Sequence, residues 1–197
     1  MVIAAGYITM VFFAIQTGRP YERIYTKENT AGETNYMITS MDEERIREKY
    51  PADNWMLAAK YPVRQYENAD GTKSRTQIHD VINGTCLIWD KEWFLWNMET
   101  GEKTILSLTT EDPNRSTVQL LGDGKPEIIA LATHDHSAAG FFSIAEDRMI
   151  TGWDFEGWGD EMIDGQIPAR IGQYDEEKWY LVDPATGEVT GTLPSRP

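Results

Sequence analysis

A short hairpin pattern recurs along the chain, and it is the sequence feature that most limits the possible folds. Three segments each combine an aromatic strand, a polar turn with Thr-Gly and a charged residue, and a second strand: FFAIQTGRPYERI, FLWNMETGEKTIL and WYLVDPATGEVTG. Their turn glycines, Gly18, Gly101 and Gly187, are 83 and 86 residues apart. Each interval is about twice the ~40 to 45 residue period of a propeller blade. The spacing predicts intermediate copies near positions 57 and 144, and four or five blade-like units.

Most of the chain after Trp55 has the pattern of short strands joined by tight turns. Turns are predicted at Asp70-Gly71, Asp90-Lys91 and Thr100-Gly101, because Gly and Asp tolerate the positive φ angles of hairpin turns. The expected fold is therefore mainly β, built from antiparallel hairpin or blade-like repeats. A propeller-like arrangement, a sandwich, an open barrel and an α+β domain all remain open.

One short surface helix is predicted near 41–50, in the sequence MDEERIREKY. Ser40 and Glu43 have the spacing of a capping box, and Pro51 cannot continue the helix. The chain has 197 residues, which suits one domain. We therefore expect a single mainly β domain over residues 1–197, with a helix-containing insertion around 27–54.

The N-terminal segment from Val2 to Thr17 carries no charged side chain. Its 16 residues are fewer than the ~20 that a membrane-spanning helix needs, and no Lys or Arg precedes it as in a secretory signal. Its aromatic and β-branched residues favour a buried strand, and a membrane anchor or a signal peptide is the alternative.

The net charge of −14 limits the possible partners. Binding to nucleic acid or to an anionic membrane surface depends on Lys and Arg, so neither is expected. Another protein, particularly a basic one, fits the charge better. Cys86 is the only cysteine, which excludes an intrachain disulfide, and its segment TCLIW has the pattern of a buried strand.

Two segments contain acidic, glycine-bearing turns: GDGKPEII at 122–129 and WDFEGWGDEMID at 153–164. Both resemble the calcium loop of FG-GAP or VCBS repeats, D-x-[DN]-x-D-G-x-x-[DE], which occurs in β-propellers. The resemblance implies a bladed fold, calcium as the bound ion and a secreted or cell-surface location. It assigns ligand positions to Asp123 and Glu127 in the first loop and to Asp154 and Glu156 in the second, so about half of each ligand set is present.

The segment THDHSAAG at 133–140 contains two of the three histidines, His134 and His136. It resembles the T-H-x-H-x-D-H-x-G motif of metallo-β-lactamase-type hydrolases, although Ala138 and Ala139 stand at the motif's Asp and last His positions. A zinc site would need both histidines together with His79, or with a carboxylate such as Asp80 or Asp135. The alternative is a polar turn between the strands EIIALAT and GFFSI.

The function these features favour is a non-catalytic binding or protein-interaction module with an acidic surface. Partner-binding residues are then expected at Trp158, Asp160 and Glu161, with Trp158 as the exposed tryptophan. One alternative is a metal-dependent hydrolase that uses the two neighbouring histidines. Another is an acidic inhibitor or immunity-type protein that presents carboxylates from 154–164 and 175–177 to a basic partner.

Overall fold

The structure, a computed structural model, describes residues 21–68, 71–110, 112–172 and 177–197. Within these ranges the chain forms antiparallel sheets and one short helix, which confirms the mainly β fold. The chain divides into two compact units, Met1–Thr76 and Gln77–Pro197. The expectation of a single domain stays a prediction. The predicted N-terminal strand and the turn at Gly18 lie outside the described residues.

The first unit contains a three-stranded antiparallel sheet, a hairpin and the helix. The sheet has the order β2-β1-β3, and its strands are β1 (Tyr21–Glu28), β2 (Thr34–Thr39) and β3 (Met56–Pro62). The helix α1 (Glu43–Lys49) connects β2 to β3, and the hairpin pairs β4 (Gln65–Glu67) with β5 (Lys73–Arg75). Near position 57, where a hairpin unit was expected, β3 and β4 belong to separate sheets.

The helix is shorter than the predicted segment 41–50, and its N-cap is Asp42 rather than Ser40. Asp42 has extended backbone, and its Oδ1 accepts a hydrogen bond from the backbone N of Arg45 at 3.0 Å. The carbonyl of Ser40 instead accepts from the Arg23 guanidinium at 2.8 Å. The predicted capping box is therefore wrong, because a carboxylate two residues later caps the helix itself.

The second unit consists of three four-stranded antiparallel sheets, and in each sheet the strands follow chain order. The first sheet contains β6 (Gln77–Ile82), β7 (Thr85–Trp89), β8 (Trp93–Asn97) and β9 (Lys103–Leu106). The second contains β10 (Thr117–Leu121), β11 (Ile128–Ala132), β12 (Ala139–Ser143) and β13 (Arg148–Met149). The third contains β14 (Gly157–Trp158), β15 (Ile167–Ile171), β16 (Lys178–Val182) and β17 (Val189–Leu193).

The third turn of each sheet has the same backbone signature. A residue with positive φ precedes the last strand: Gly101 at 75°, Asp147 at 48° and Gly187 at 75°. A side chain at the start of each turn accepts hydrogen bonds from the turn backbone, and these side chains belong to Asn97, Ser143 and Asp183. The hairpin predicted near position 144 is present between β12 and β13.

The predicted turns at Asp90-Lys91 and Thr100-Gly101 are also confirmed. The first joins β7 to β8 with Lys91 at a φ of 71°, and the second joins β8 to β9. The β4–β5 hairpin lies at the third predicted turn, where the N of Gly71 donates to the carbonyl of Asn68 at 2.9 Å. Residues 69 and 70 of that turn are outside the described ranges.

Neighbouring sheets of the second unit are joined by hydrogen bonds between residues about one sheet apart in sequence. Asp80 Oδ2 accepts from Leu120 N at 2.7 Å, and Ser107 Oγ donates to Asp147 Oδ2 at 2.6 Å. Seven side-chain bonds between these sheets join positions 37 to 41 apart. The sheets therefore repeat one spatial relation along the chain.

One cluster of buried residues in this unit joins the second and third sheets. Its buried residues are apolar: Leu121, Ile128, Ala130, Ala132, Ala139, Phe141, Ile150, Phe155, Ile167, Ala169 and Val182. In the first sheet, Trp93, Phe94 and Leu95 are all buried, so successive side chains on both faces of β8 are covered. Both faces of the strand are therefore covered at these three positions.

The meander connectivity divides the loops of each sheet between two ends. The first and third turns lie at one end, which we call the turn end, because they are separated by two strands of opposite direction. The second turn and the links between sheets lie at the other end, which we call the linker end. The two ends carry different candidate sites.

Candidate functional site

The turn GDGKPE joins β10 to β11 at the turn end, and its backbone requires glycine. Gly122 has a φ of 155°, and a Cβ there would collide with the carbonyl oxygen of Lys125. The N of Glu127 donates to the carbonyl of Leu121 at 2.9 Å, which closes the turn. Asn83 of the first sheet donates from Nδ2 to the carbonyl of Gly124 at 3.0 Å, so the turn is fixed to its neighbour.

An acidic cleft of about 660 Å³ lies beside this turn. Six carboxylate side chains line it: Asp80, Asp123, Glu127, Asp160, Glu161 and Asp164. Its described lining contains no Lys, Arg or His. The exposed Nζ of Lys125 lies 3.7 Å from Glu127 Oε1. The cleft therefore unites two residues of the first calcium-like loop with the two predicted partner-binding carboxylates.

Gln119 on β10 forms the wall between the two acidic loops. Its Oε1 accepts from Trp158 Nε1 at 2.8 Å, and its Nε2 donates to the carbonyl of Asp160 at 3.2 Å. Both polar atoms of the amide are thus used to hold the third sheet against the second. The hydrogen bond from this amide anchors the Asp160-Glu161 turn to β10.

Trp158 is not the exposed tryptophan that the sequence suggested. It is partly buried, packs against the core between the second and third sheets, and donates its indole N–H to Gln119. Trp153 is instead exposed, at 48% of its surface. The expectation was wrong because the bonding partner of Trp158 lies in another sheet, 39 residues away.

Asp80 is a partly buried carboxylate of the cleft, and it connects two sheets. Its Oδ1 accepts from Val81 N and its Oδ2 from Leu120 N, both at 2.7 Å. Burial raises the pKa of this carboxyl, and the two backbone N–H groups act in the opposite direction. Asp80 therefore links the first two sheets while it contributes to the acidic lining.

No group of three His, Cys, Asp or Glu side chains in the described part of the chain is placed to hold a metal ion. In the second calcium-like loop, Glu156 Oε2 accepts from Gly172 N at 3.1 Å, and Asp154 is exposed. Neither residue lines the acidic cleft. The two calcium-like loops therefore place their carboxylates in separate surroundings, and calcium binding stays a prediction.

The segment THDHS forms the tight turn between β11 and β12. Asp135 Oδ1 accepts from Thr133 Oγ1 at 2.7 Å and from the N and Oγ of Ser137 at 3.1 and 2.8 Å. These bonds hold the pKa of Asp135 well below its usual range. The arrangement matches the polar turn that was the alternative to a zinc site, and the carboxylate is occupied within it.

The three histidines occupy different surroundings. His134 lines a cavity at the linker end, whereas His136, with a φ of 57°, lines another that includes Trp158 and Arg170. His79 lies on β6 with its ring centroid 4.7 Å from that of Trp93. Burial lowers the pKa of His79 to about 4. The structure does not bring these side chains together.

The remaining candidate residues have structural surroundings. Cys86 is fully buried, and burial raises the pKa of its thiol to about 12, which suits packing rather than nucleophilic attack. Of the acidic segment 175–177, only Glu177 is described. Its Oε1 accepts from Trp179 Nε1 at 2.8 Å and its Oε2 lies 3.8 Å from Arg170 Nη1.

Sequence reasoning missed Asp80 and Asp164 as parts of the acidic cleft, although a signal for the first exists. Asp80, Gln119 and Trp158 lie 39 residues apart in succession, on the first strands of the three sheets. Aligning the chain on this 39-residue period places Asp80, Gln119 and Trp158 at the same position. Asp164 does not belong to this series of positions, so the period does not indicate it.

No helix in the described ranges is long and apolar enough to cross a membrane. The chain matches no protein-family model and no curated protein.

Proposed function

We propose that the chain is a non-catalytic binding module built from propeller-type repeats, and that its acidic cleft binds a positively charged segment of another protein. The observation that carries the proposal is the convergence of six carboxylates in one cleft with no basic side chain in its described lining. The remaining features of the second unit support this function through the fold, the charge and the rigidity of the cleft.

The repeat part of the proposal is supported by the three consecutive four-stranded meanders. A four-stranded antiparallel sheet is the blade unit of β-propellers, and blades recur about every 40 to 45 residues. The positive-φ residues Gly101, Asp147 and Gly187 recur at intervals of this size. The bonds between neighbouring sheets join residues 37 to 41 apart. The resemblance to FG-GAP or VCBS repeats agrees with this interpretation.

The choice of a basic partner follows from electrostatics. A concave site lined by one sign of charge focuses its potential and attracts ligands of opposite charge. The net charge of −14 adds a long-range attraction for positively charged partners. This attraction raises the association rate and makes that rate depend on salt concentration. Both the acidic cleft and the net negative charge would repel nucleic acid. A Lys- or Arg-rich protein segment fits the cleft best.

Preorganisation favours binding in this cleft. Asp80 and Gln119 fix the walls through bonds of 2.7 and 2.8 Å to the neighbouring sheets. Exposed Asp123, Asp160 and Glu161 are held on turns anchored by those walls. A partner then meets carboxylates already placed, which lowers the entropy cost of association. An acidic inhibitor of a basic enzyme would use the same surface.

The hydrolase alternative has less support. Its two central histidines line different cavities, and the carboxylate between them is engaged in the turn. A catalytic zinc site needs three ligands that converge on one point. Binding of a basic protein segment does not require three ligands to meet at one point.

The test measures binding of fluorescently labelled octa-lysine and octa-arginine peptides by anisotropy, with octa-glutamate as the negative probe. The cleft variant combines Asp123→Asn, Asp160→Asn and Glu161→Gln. We expect it to weaken binding about tenfold and to reduce the dependence on salt concentration.

A matched control removes the same charge elsewhere in the second unit, through Glu99→Gln, Glu102→Gln and Glu188→Gln, which change exposed turn or strand-flanking residues. We expect this control to keep its affinity within about twofold. Equal weakening in both variants would mean that net charge, and not the cleft, attracts the peptides. Absence of binding at low salt would contradict the proposal outright.

A further inference from the structure

A second cavity, of about 800 Å³, lies at the linker end of the second unit. Such a volume falls within the range of small-molecule sites. Its lining includes the aromatic side chain of Trp153 and the polar residues Thr110, Asp112, Arg115 and His134. We call it the Trp153 pocket. Its chemistry differs from that of the acidic cleft.

Trp153 provides a flat apolar surface at this pocket. Its side chain is 48% exposed, whereas Trp89, Trp93 and Trp179 are at least 90% buried. A large exposed indole loses contact with water when a ligand with an apolar face covers it. The exposure of this ring therefore favours a ligand that stacks on it.

An unpaired hydroxyl lies in the same lining. Thr110 Oγ1 is buried from solvent and has no hydrogen-bond partner among the described residues. A buried hydroxyl without a partner is unfavourable, and native proteins satisfy nearly all such groups. In this rotamer the oxygen is out of reach of solvent, so it can bond a ligand hydroxyl only after the Thr110 side chain rotates toward the pocket.

The charges around the pocket balance each other. Arg115 Nε lies 3.4 Å from Asp112 Oδ2, so the cation and the anion form a pair at its edge. The imidazole of His134 adds ring nitrogens that can take part in hydrogen bonds. The described lining thus combines several donors and acceptors with little net charge, which favours a neutral ligand.

From this combination we propose that the Trp153 pocket binds a neutral sugar ring, with the apolar face of the ring stacked on the indole and its hydroxyls bonded to Thr110, His134 and the Asp112–Arg115 pair. A sugar ring has both an apolar face and many hydroxyls, which the lining matches. This inference is independent of the proposed protein-binding function, since it uses a different cavity.

The experiment is saturation-transfer-difference NMR on the full chain with D-glucose, D-galactose, D-mannose, L-fucose and N-acetylglucosamine as separate probes. We expect transfer to the ring protons of at least one sugar. Trp153→Ala should weaken that sugar's binding tenfold or more, and Thr110→Val should weaken it several-fold. Ile105→Ala removes a comparably exposed apolar side chain outside the pocket and should leave binding unchanged.

Thermal melts verify that each variant is folded before binding is compared. Loss of transfer in Trp153→Ala with retention in Ile105→Ala supports the proposal. Absence of transfer from all five sugars overturns it, and so does equal transfer to the wild type and to folded Trp153→Ala. If Thr110→Val binds as the wild type does, the assignment of its hydroxyl is wrong.

Discussion

Trp158 Nε1 donates a hydrogen bond of 2.8 Å to Gln119 Oε1, and this bond joins the first strands of two neighbouring sheets. The same amide donates to the carbonyl of Asp160, so one side chain fixes both the indole and the acidic turn that follows it. Asp80 plays the corresponding part between the first two sheets, through Leu120 N. The acidic cleft therefore depends on contacts made by Gln119 and Asp80, two partly buried residues of its own lining.

The first prediction concerns the coupling between Gln119 and Trp158. We expect Gln119→Leu and Trp158→Phe each to lower the free energy of unfolding by about 1 to 2 kcal/mol. The double variant should cost less than the sum of the two, with a coupling of about 1 kcal/mol. Urea unfolding of the wild type, the two single variants and the double variant measures this coupling. Strict additivity would show that the bond contributes nothing to stability.

The second prediction concerns pH and His79. Burial lowers its pKa from 6.5 to about 4, so the unfolded state binds a proton more readily than the folded state between these values. The contribution of His79 to stability is complete above pH 6.5 and is lost as the pH falls toward 4. At about 1.4 kcal/mol per pKa unit, and with allowance for partial exposure, the loss is roughly 2 to 3 kcal/mol.

His79→Phe isolates this effect, because it keeps an aromatic ring against Trp93 and cannot be protonated. Urea unfolding from pH 7 to pH 4 should show a smaller loss of stability in His79→Phe than in the wild type. Carboxylates that titrate in the same range affect both proteins equally. Parallel curves for the two proteins would contradict the prediction.

The third prediction compares two glycines at the same position of their turns. Gly101 and Gly187 both have a φ of 75°, but a Cβ at Gly187 would collide with the carbonyl of Ile150, whereas a Cβ at Gly101 meets open space. Gly101→Ala should cost about 1 kcal/mol for the left-handed backbone alone. Gly187→Ala should cost about 1 to 3 kcal/mol more. Chemical unfolding measures the difference, and equal costs would mean that the Ile150 contact yields easily.

The fourth prediction addresses the THDHS turn. Asp135→Ala removes the acceptor of three hydrogen bonds and should lower the thermal midpoint. His136→Gly relieves a φ of 57° and should leave the midpoint unchanged or raise it by a few degrees. Added Zn²⁺ should not shift the thermal midpoint of the wild type. A zinc-dependent rise that disappears in His136→Gly would instead support a metal site.

Local features were predictable because neighbouring residues determine them. Lys91 and Gly101 adopt positive φ in turns that the sequence indicates. Asn83-Gly84 forms the β6–β7 turn with both residues at positive φ, and it carries a comparable signal that the predicted turns do not include. The middle sheet lacks a Thr-Gly marker because Asp147 occupies the left-handed position there, and Asp tolerates it.

The acidic cleft was less predictable because its members come from separate sheets. Asp123 and Asp160 line one cavity only because β10 and β14 lie side by side, and this packing is set by buried residues elsewhere in the chain. The exposure of a tryptophan is also a long-range property. Trp158 is held by an amide in another sheet, whereas Trp153 has no such partner among the described bonds and stays exposed.

The antiparallel connectivity of the sheets has an evolutionary consequence. A five-residue strand extends for about 17 Å, so successive loops of one sheet are kept apart by its whole length. An insertion in a first turn enlarges only the surface around Asp123, and an insertion in a second turn enlarges only the surface around His134. Natural variation can therefore diversify the loops at one end while purifying selection holds those at the other end constant.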